Sequence, residues 1–383
     1  MTTINKITIL GSGVMGHGIA QVASAAGYNI VLRDIEQTLL ENAMNKIKWS
    51  LGKLVEKQKI SQDDANSVYG RITPVVDLKK ALQDSDLLIE AVPEDLELKK
   101  KVYAEVEKYV EDKTLYASNT STLPIGELAS LTSRPSRFIG LHFFNPPQLM
   151  PLVEVIPSRF TDNDTVSITL DLIKKIGKDP VLCKKDVVGF IVNRIFIPLV
   201  HEAAYCLERD NAKMTQIDSA VKFKMAAPMG IFELADYTGL DVIHKASNEM
   251  ASRDKKVINP NPLIERLFSE KKFGQKSGTG FYDYSGEDKY GRIKLSETEA
   301  ENYDPITLVA IVANNAAWLL SNGVCDRNDL DKALRLGMGF KKSPFTLAEE
   351  IGLKRVVSTL ESLSNKYGEF YEPDILLKKM SLG

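Results

Sequence analysis

Short apolar runs alternate with longer amphipathic stretches through the first half of the chain, and beyond about Lys185 only the amphipathic pattern continues. Strands are expected at Ile4 to Leu10, Asn29 to Arg33, Asp86 to Val92, Leu115 to Ser118, Phe138 to Phe143, Leu152 to Ile156 and Pro180 to Cys183, each a brief run of branched or aromatic residues. Between most of them lie stretches with helical spacing of apolar positions, such as Gly16 to Ala26, Gln37 to Lys59 and Asp95 to Val110. This alternation predicts an α/β fold on a parallel sheet, with a ligand crevice at the carboxyl ends of the strands. The remainder, rich in Ala, Leu and Met, predicts an all-α region.

The helical part contains an internal similarity. Shifting the chain by 113 positions places Ala203-Ala204 on Ala316-Ala317, Leu207 on Leu320, Asp218 on Asp331, Ala220 on Ala333 and Met225 on Met338. Phe232, Leu234, Ala235, Gly239 and Leu240 then fall on Phe345, Leu347, Ala348, Gly352 and Leu353. Helical periodicity alone does not align a non-periodic stretch of that kind, so two homologous helical copies are expected. The boundaries this predicts are 1–185 for the α/β domain, 186–285 for the first copy and 286–383 for a degenerate, structural second copy.

The most specific local signal is Gly11-Ser12-Gly13-Val14-Met15-Gly16, directly after the first strand and opening a helix, with Asp34 ending the next apolar run. Glycines at these spacings permit a tight turn, close approach of backbone to a pyrophosphate, and packing of helix on strand. A carboxylate at Asp34 would accept from both ribose hydroxyls and repel a 2′-phosphate, which points to NAD in a Rossmann-type domain.

Composition narrows the partners. With 383 residues, 44% hydrophobic, 26% charged and a net charge of −2, this is an ordinary globular chain with no field for nucleic acid or an anionic membrane. Cys183, Cys206 and Cys325 are dispersed, with neither disulfide nor metal-ligand spacing. No signal peptide or membrane-spanning stretch is evident, so the cytoplasm is the expected compartment.

Oxidation of an alcohol needs a base for the hydroxyl proton, and histidine suits neutral pH. Of His17, His142, His201 and His244, the first lies in the glycine turn and the last two in helical patterns, whereas His142 ends a strand where ligands collect. If Ile139 to Phe143 and Leu152 to Ile156 pair as an antiparallel hairpin, His142 and Glu154 share a face. Such a pair is either a base with its orienting carboxylate or a cross-strand surface ion pair. Ser121, just past the strand Leu115 to Ser118, is either a hydrogen-bond donor to the reacting oxygen or a helix cap before Pro124.

Six segments, Gly11 to Ala20, Ser118 to Leu123, Gly140 to Pro146, Pro151 to Val155, Gly189 to Arg194 and Lys272 to Tyr282, together resemble the L-3-hydroxyacyl-CoA dehydrogenases, in order, over about Ile4 to Tyr284. The resemblance implies that His142 is the catalytic base, that Glu154 pairs with it, and that Ser121 and Asn193 contact the substrate oxygen and the base. It implies NAD contacts from Gly11, Gly13, Val14, Met15, Gly16, Asp34, Ala91, Glu94, Lys99 and Asn119. It implies that Ser50 and Lys57 approach the phosphates of an acyl-CoA substrate. Their helix also carries Lys46, Lys48, Lys53 and Lys59, a basic face that suits a phosphorylated ligand but equally an ordinary solvated surface.

The second helical copy is a departure from the short form of the family and resembles the dehydrogenase part of fused fatty-acid oxidation enzymes, which suggests an enoyl-CoA hydratase as an associate. Ile306 stands where copy one has Asn193, so a packing role is expected, as an intrachain pseudo-dimer in a monomer. The activity implied is reversible oxidation of an L-3-hydroxyacyl-CoA by NAD. A sugar-acid dehydrogenase and a non-catalytic NAD- or CoA-binding subunit are the alternatives.

Overall fold

Eight strands form one sheet in the order β3-β2-β1-β4-β5-β6-β7-β8 in the computed structural model, which describes residues 4–254, 256–258, 260–286 and 291–382. They are β1 (Lys6–Leu10), β2 (Asn29–Arg33), β3 (Ile72–Val75), β4 (Leu87–Glu90), β5 (Leu115–Ser118), β6 (Phe138–Phe143), β7 (Leu152–Pro157) and β8 (Asp179–Leu182). Strands β1 to β6 are mutually parallel, β7 runs antiparallel to β6, and β8 parallel to β7. Strand order therefore reverses between β1 and β4, which opens a crevice beyond their carboxyl ends.

The helices of this part are α1 (Val14–Ala25), α2 (Gln37–Glu56), α3 (Gln62–Gly70), α4 (Leu78–Leu82), α5 (Leu96–Val106), α6 (Ile125–Ala129) and α7 (Asn163–Lys175). Alternate strand residues Ile7, Ile9, Ile30, Leu32, Leu87 and Ile89 join Ile19, Ala20 and Ala23 of α1 and Leu40, Ala43, Met44, Ile47 and Leu51 of α2 in one core. The intervening Thr8, Leu10, Leu88 and Tyr116 are buried as well. Burial on both faces is why these strands read as continuous apolar runs.

Strand β3 has no counterpart among the expected strands. It is an edge strand of four residues, Ile-Thr-Pro-Val, with Thr73 and Pro74 exposed, so it carries no apolar run. Helices α3 and α4 are likewise short, at 9 and 5 residues.

The chain divides into two compact units, the first ending at Asp186 and the second beginning at Val187. The second is helical: α8 (Val192–Arg209), α9 (Met214–Phe223), α10 (Ile231–Thr238), α11 (Leu240–Arg253), α12 (Pro262–Ser269), α13 (Glu297–Glu301), α14 (Ile306–Ser321), α15 (Arg327–Gly337), α16 (Pro344–Ile351), α17 (Leu353–Tyr367) and α18 (Ile375–Leu382). An offset of 113 carries α8 to α12 onto α14 to α18, to the residue for α10 and α12 and within one residue at each end of the others. Gly239 and Gly352 join equivalent helix pairs with φ of 103° and 105°, a conformation natural only to glycine. The Gly-rich segment after α12 folds back on α10, where Asp236 accepts from Phe281 and Tyr282 N–H at 2.9 Å and Asp218 accepts from the Tyr282 hydroxyl at 2.9 Å.

Helix α14 packs along α8. Across this contact the Arg194 guanidinium lies 3.3 Å from the centroid of the Trp318 ring; elsewhere on α8, Glu202 accepts from Tyr371 of the α17–α18 connection at 2.8 Å and pairs with Arg209. Arg194 is 3% exposed, its Nε has no hydrogen-bond partner, and burial pushes its pKa down to about 10 against the pull of Asp254. Among the described residues no helix is long and apolar enough to cross a membrane, and no cluster of three or more His, Cys, Asp or Glu could hold a metal ion.

A buried guanidinium covered by an indole face is stabilised by that face and by its exclusion of water. Trp318→Ala is expected to lower the stability of the helical unit by about 2–4 kcal/mol and Trp318→Phe by about half as much, read from denaturant midpoints. Equal losses for the two variants would show that an aromatic face over the guanidinium adds no stability.

Candidate active site

The glycine turn leaves β1 at the point where strand order reverses. Gly11, at φ +94°, lies against the segment after β4, and a Cβ there would sit 2.6 Å from the Ala91 carbonyl oxygen. A Cβ on Gly16 would lie 1.8 Å from the Gly11 carbonyl oxygen. Gly13 differs: a Cβ there would meet nothing within 4 Å. Two of the three glycines are thus required by the packing of the turn itself, and the middle one keeps open a cradle that a side chain would fill.

Helix α1 starts at this cradle with no side-chain cap and no acidic residue in its first turn, so its leading N–H groups and the positive end of its dipole face outward. That arrangement fits a pyrophosphate. Val14 is exposed beside the cradle and Met15 half-buried. Asp34 directly follows β2, with Oδ2 accepting from the backbone N–H and hydroxyl of Ser12, both at 2.7 Å, and Oδ1 accepting from Ile35 N–H at 2.7 Å. The turn therefore fixes the carboxylate where ribose hydroxyls would be read. His17 is turned inward, its Nδ1 2.6 Å from the Gly13 carbonyl oxygen, and burial lowers its pKa. A neutral imidazole donating there braces the turn.

Beyond β4 and β5 lies a buried charge network that the pattern of apolar runs conceals. Glu90 closes β4 fully buried and accepts from Lys99 Nζ at 2.7 Å, Ser118 Oγ at 2.7 Å and Val92 N–H at 2.9 Å. Lys99 also reaches Glu94, 3.1 Å away. Burial opposes the charge on Lys99, but the two carboxylates hold its pKa above the ordinary value. Burial likewise opposes the charge on Glu94, yet Lys99 and the donors around it keep its carboxyl below the usual range. Those donors are Thr120 Oγ1 at 2.5 Å, Ser121 N–H at 2.8 Å, Thr122 N–H at 3.2 Å, Thr122 Oγ1 at 3.2 Å and, more loosely, Ser121 Oγ at 3.4 Å.

Glu94 thus ties down the turn that carries Ser121. The capping alternative for Ser121 is not what the structure contains, because Pro124 precedes α6 and its first N–H groups, of Ile125 and Gly126, donate to Asp186 at 3.0 and 2.7 Å. Sequence reasoning singled out Glu94, Lys99 and Asn119 but missed Glu90, Thr120 and Thr122. The one signal for Glu90 was a carboxylate at the end of an otherwise apolar run.

β6 and β7 pair with His142 directly opposite Glu154, which puts both side chains on one face of the sheet. His142 Nδ1 is 2.6 Å from Glu154 Oε2, with His142 6% exposed and Glu154 0% exposed. A surface ion pair is therefore not the right description. The contact orients Nε2 away from the carboxylate, and the ring packs against Phe144. Asn119 Oδ1 accepts from Phe143 N–H at 3.0 Å, joining the end of β5 to that of β6.

The loop between these strands rests on α1: Gly18 lies beneath Pro147, where a Cβ would approach within 2.9 Å, and Gln148 contacts Gln21, which donates to Ser50 of α2 at 3.0 Å. Ser50 is half-buried and Lys57, just past the end of α2, exposed. Asn193 lies in the first turn of α8, in the second unit.

Comparison with known proteins agrees with this architecture. The family model for the 3-hydroxyacyl-CoA dehydrogenase NAD binding domain matches residues 6–187, and that for the 3-hydroxyacyl-CoA dehydrogenase C-terminal domain matches residues 189–284 and again 307–382. The chain is 40% identical to the mitochondrial hydroxyacyl-coenzyme A dehydrogenase of Sus scrofa, over 73% of this chain and 91% of that one. It is 34% identical to the fatty acid oxidation complex subunit alpha of Vibrio campbellii, over 100% of this chain and 56% of that one. A crystal structure of 3-hydroxybutyryl-CoA dehydrogenase from Escherichia coli superposes with a TM-score of 0.88 at 28% identity, covering 99% of this chain and 98% of that chain. With its NAD binding domain and both stretches of its helical region matched, this chain belongs to the 3-hydroxyacyl-CoA dehydrogenase family.

Proposed function

We propose that this protein catalyses the reversible, NAD-dependent oxidation of (S)-3-hydroxyacyl-CoA to 3-oxoacyl-CoA, with His142 as the general acid and base. The observation that carries the assignment is the buried 2.6 Å contact of His142 with Glu154, at the end of a strand whose following loop rests on α1. NAD, when bound through the glycine turn and Asp34, supplies a hydride acceptor at its nicotinamide ring. His142 Nε2 takes the proton of the substrate hydroxyl as the C3–H bond gives up its hydride, and returns that proton in the reverse direction. Glu154 holds the Nδ1–H tautomer in the resting state and balances the positive charge the ring then acquires.

Ser121, whose turn is anchored by Glu94, donates to the substrate oxygen as charge develops on it. Asn193 is given the same task by the family motif it belongs to. Ser50 and Lys57 receive the phosphates of the coenzyme A moiety, supported by the tie from Ser50 through Gln21 to the loop above His142.

We infer also that the helical region arose by duplication and that its second half has a packing role. The support is the 113-residue offset between helices, the double match of the C-terminal family model, and Ile306 in place of Asn193.

With acetoacetyl-CoA and NADH as substrates, His142→Ala is expected to lower kcat by about 10³-fold or more and Ser121→Ala by about 10²-fold, while NADH binding measured by fluorescence persists in both. Turnover confined to free hydroxy acids would point instead to a sugar-acid type of dehydrogenase. Gly13→Val should keep the fold, since its side chain has room, yet weaken NADH binding at least about tenfold, whereas Gly16→Ala should destabilise the domain by about 3 kcal/mol or more. Similar behaviour of the two variants would refute the cradle. In sedimentation equilibrium at micromolar concentration we expect the 42.6 kDa monomer. A tight dimer formed through α8 to α12 would exclude the intrachain packing role.

A further inference from the structure

Helix α2 presents an aromatic residue that no folding requirement explains. Its buried side is Leu40, Ala43, Met44, Ile47 and Leu51, and Trp49 lies on the opposite side, 67% exposed. An exposed apolar residue standing alone needs no explanation, and Leu39 of the same helix is also 40% exposed; what singles Trp49 out is the set of cations around it.

The surroundings of Trp49 are specific. Lys46, Trp49, Ser50, Lys53 and Lys57 recur at helical spacing and so form one strip along α2 and just past its end. All three lysines are exposed. Lys53 is bridged to Glu56 at 2.6 Å, and Lys46 is near enough to His17 for its charge to bear on that ring. Midway along the strip Ser50 joins Gln21, and through it Gln148 of the loop that follows His142. A long anionic ligand whose reacting end is at His142 can therefore continue over this loop onto the strip.

We propose that Trp49 is the stacking platform for the adenine ring of the coenzyme A substrate, flanked by Lys46 and Lys53 for its phosphates. This rests on the acyl-CoA reading of the site and extends it to a residue that determines substrate class. An exposed indole stacks on a purine face without demanding a particular hydrogen-bond pattern, and each such contact is worth enough to shift affinity by one to two orders of magnitude. Cations beside the ring add attraction to the adjoining phosphates.

The test compares acetoacetyl-CoA with acetoacetyl-pantetheine, which keeps the reacting group and arm but lacks the nucleotide. Trp49→Ala should raise KM for the CoA thioester about 5- to 100-fold, with the increase confined to that substrate, and Trp49→Phe should recover much of the loss. Free coenzyme A should quench Trp49 fluorescence in the wild type; the quench should vanish in Trp49→Phe and be absent with pantetheine. Unchanged KM for the CoA thioester in Trp49→Ala, or an equal rise for both thioesters, overturns the proposal. Lys57→Met separates the two levels of inference. If the preference for the CoA thioester collapses in Lys57→Met but persists in Trp49→Ala, the platform is wrong and the helix reading stands. If it persists in both, α2 is not the coenzyme A subsite at all.

Discussion

A carboxylate on a strand covered on both faces must have a partner, because its desolvation is not otherwise offset, and the register of β6 against β7 supplies one to Glu154 in His142. The pairing is a property of the whole hairpin. A slip of one residue would send one of the two side chains to the other face of the sheet and break the pair. Registry, the stiff loop of Asn145 to Pro151 and its seat on Gly18 are thus constrained by the same electrostatic requirement that orients the imidazole. Fold and candidate chemistry depend on one contact.

The neighbouring strands repeat the logic with a different pair of charges. Glu90 and Glu94 are held by a single buried ammonium, Lys99, and the second of them spends its remaining acceptor capacity on the turn from Thr120 to Thr122. A loop with no regular structure of its own gains a fixed shape from a carboxylate outside it. Rigid placement of this kind is what a donor to a developing charge needs, since reorganisation during reaction would cost part of the stabilisation.

Much of this was legible in the amino-acid sequence. Seven of the eight strands announce themselves as apolar runs, and the glycine turn with Asp34 identifies the crevice before any coordinates. Where the reading fell short, the reasons are physical. β3 lies at an edge, where Thr73 and Pro74 face water and no apolar run is required. Glu90 looks like an interruption of a strand, and one-dimensional pattern does not reveal that Lys99, 9 positions on, meets it in the core. The proposal that Ser121 caps a helix could be weighed only once Asp186 was seen to hold the first N–H groups of α6. Trp49 was passed over because an exposed aromatic is invisible until the buried side of its helix is known.

The contact of Arg194 with Trp318 has a further meaning for how the helical region can change. Carried along by 113 positions, Arg194 corresponds to Thr307, and Trp318 corresponds back to Tyr205, so the reciprocal contact is not made by the same chemistry. In an association of two identical chains about a twofold axis every substitution appears on both sides and must be tolerated twice. Here α8 and α14 are encoded separately, and each side is free to diverge on its own. Asymmetry, which a symmetric assembly forbids, becomes available to selection one side chain at a time.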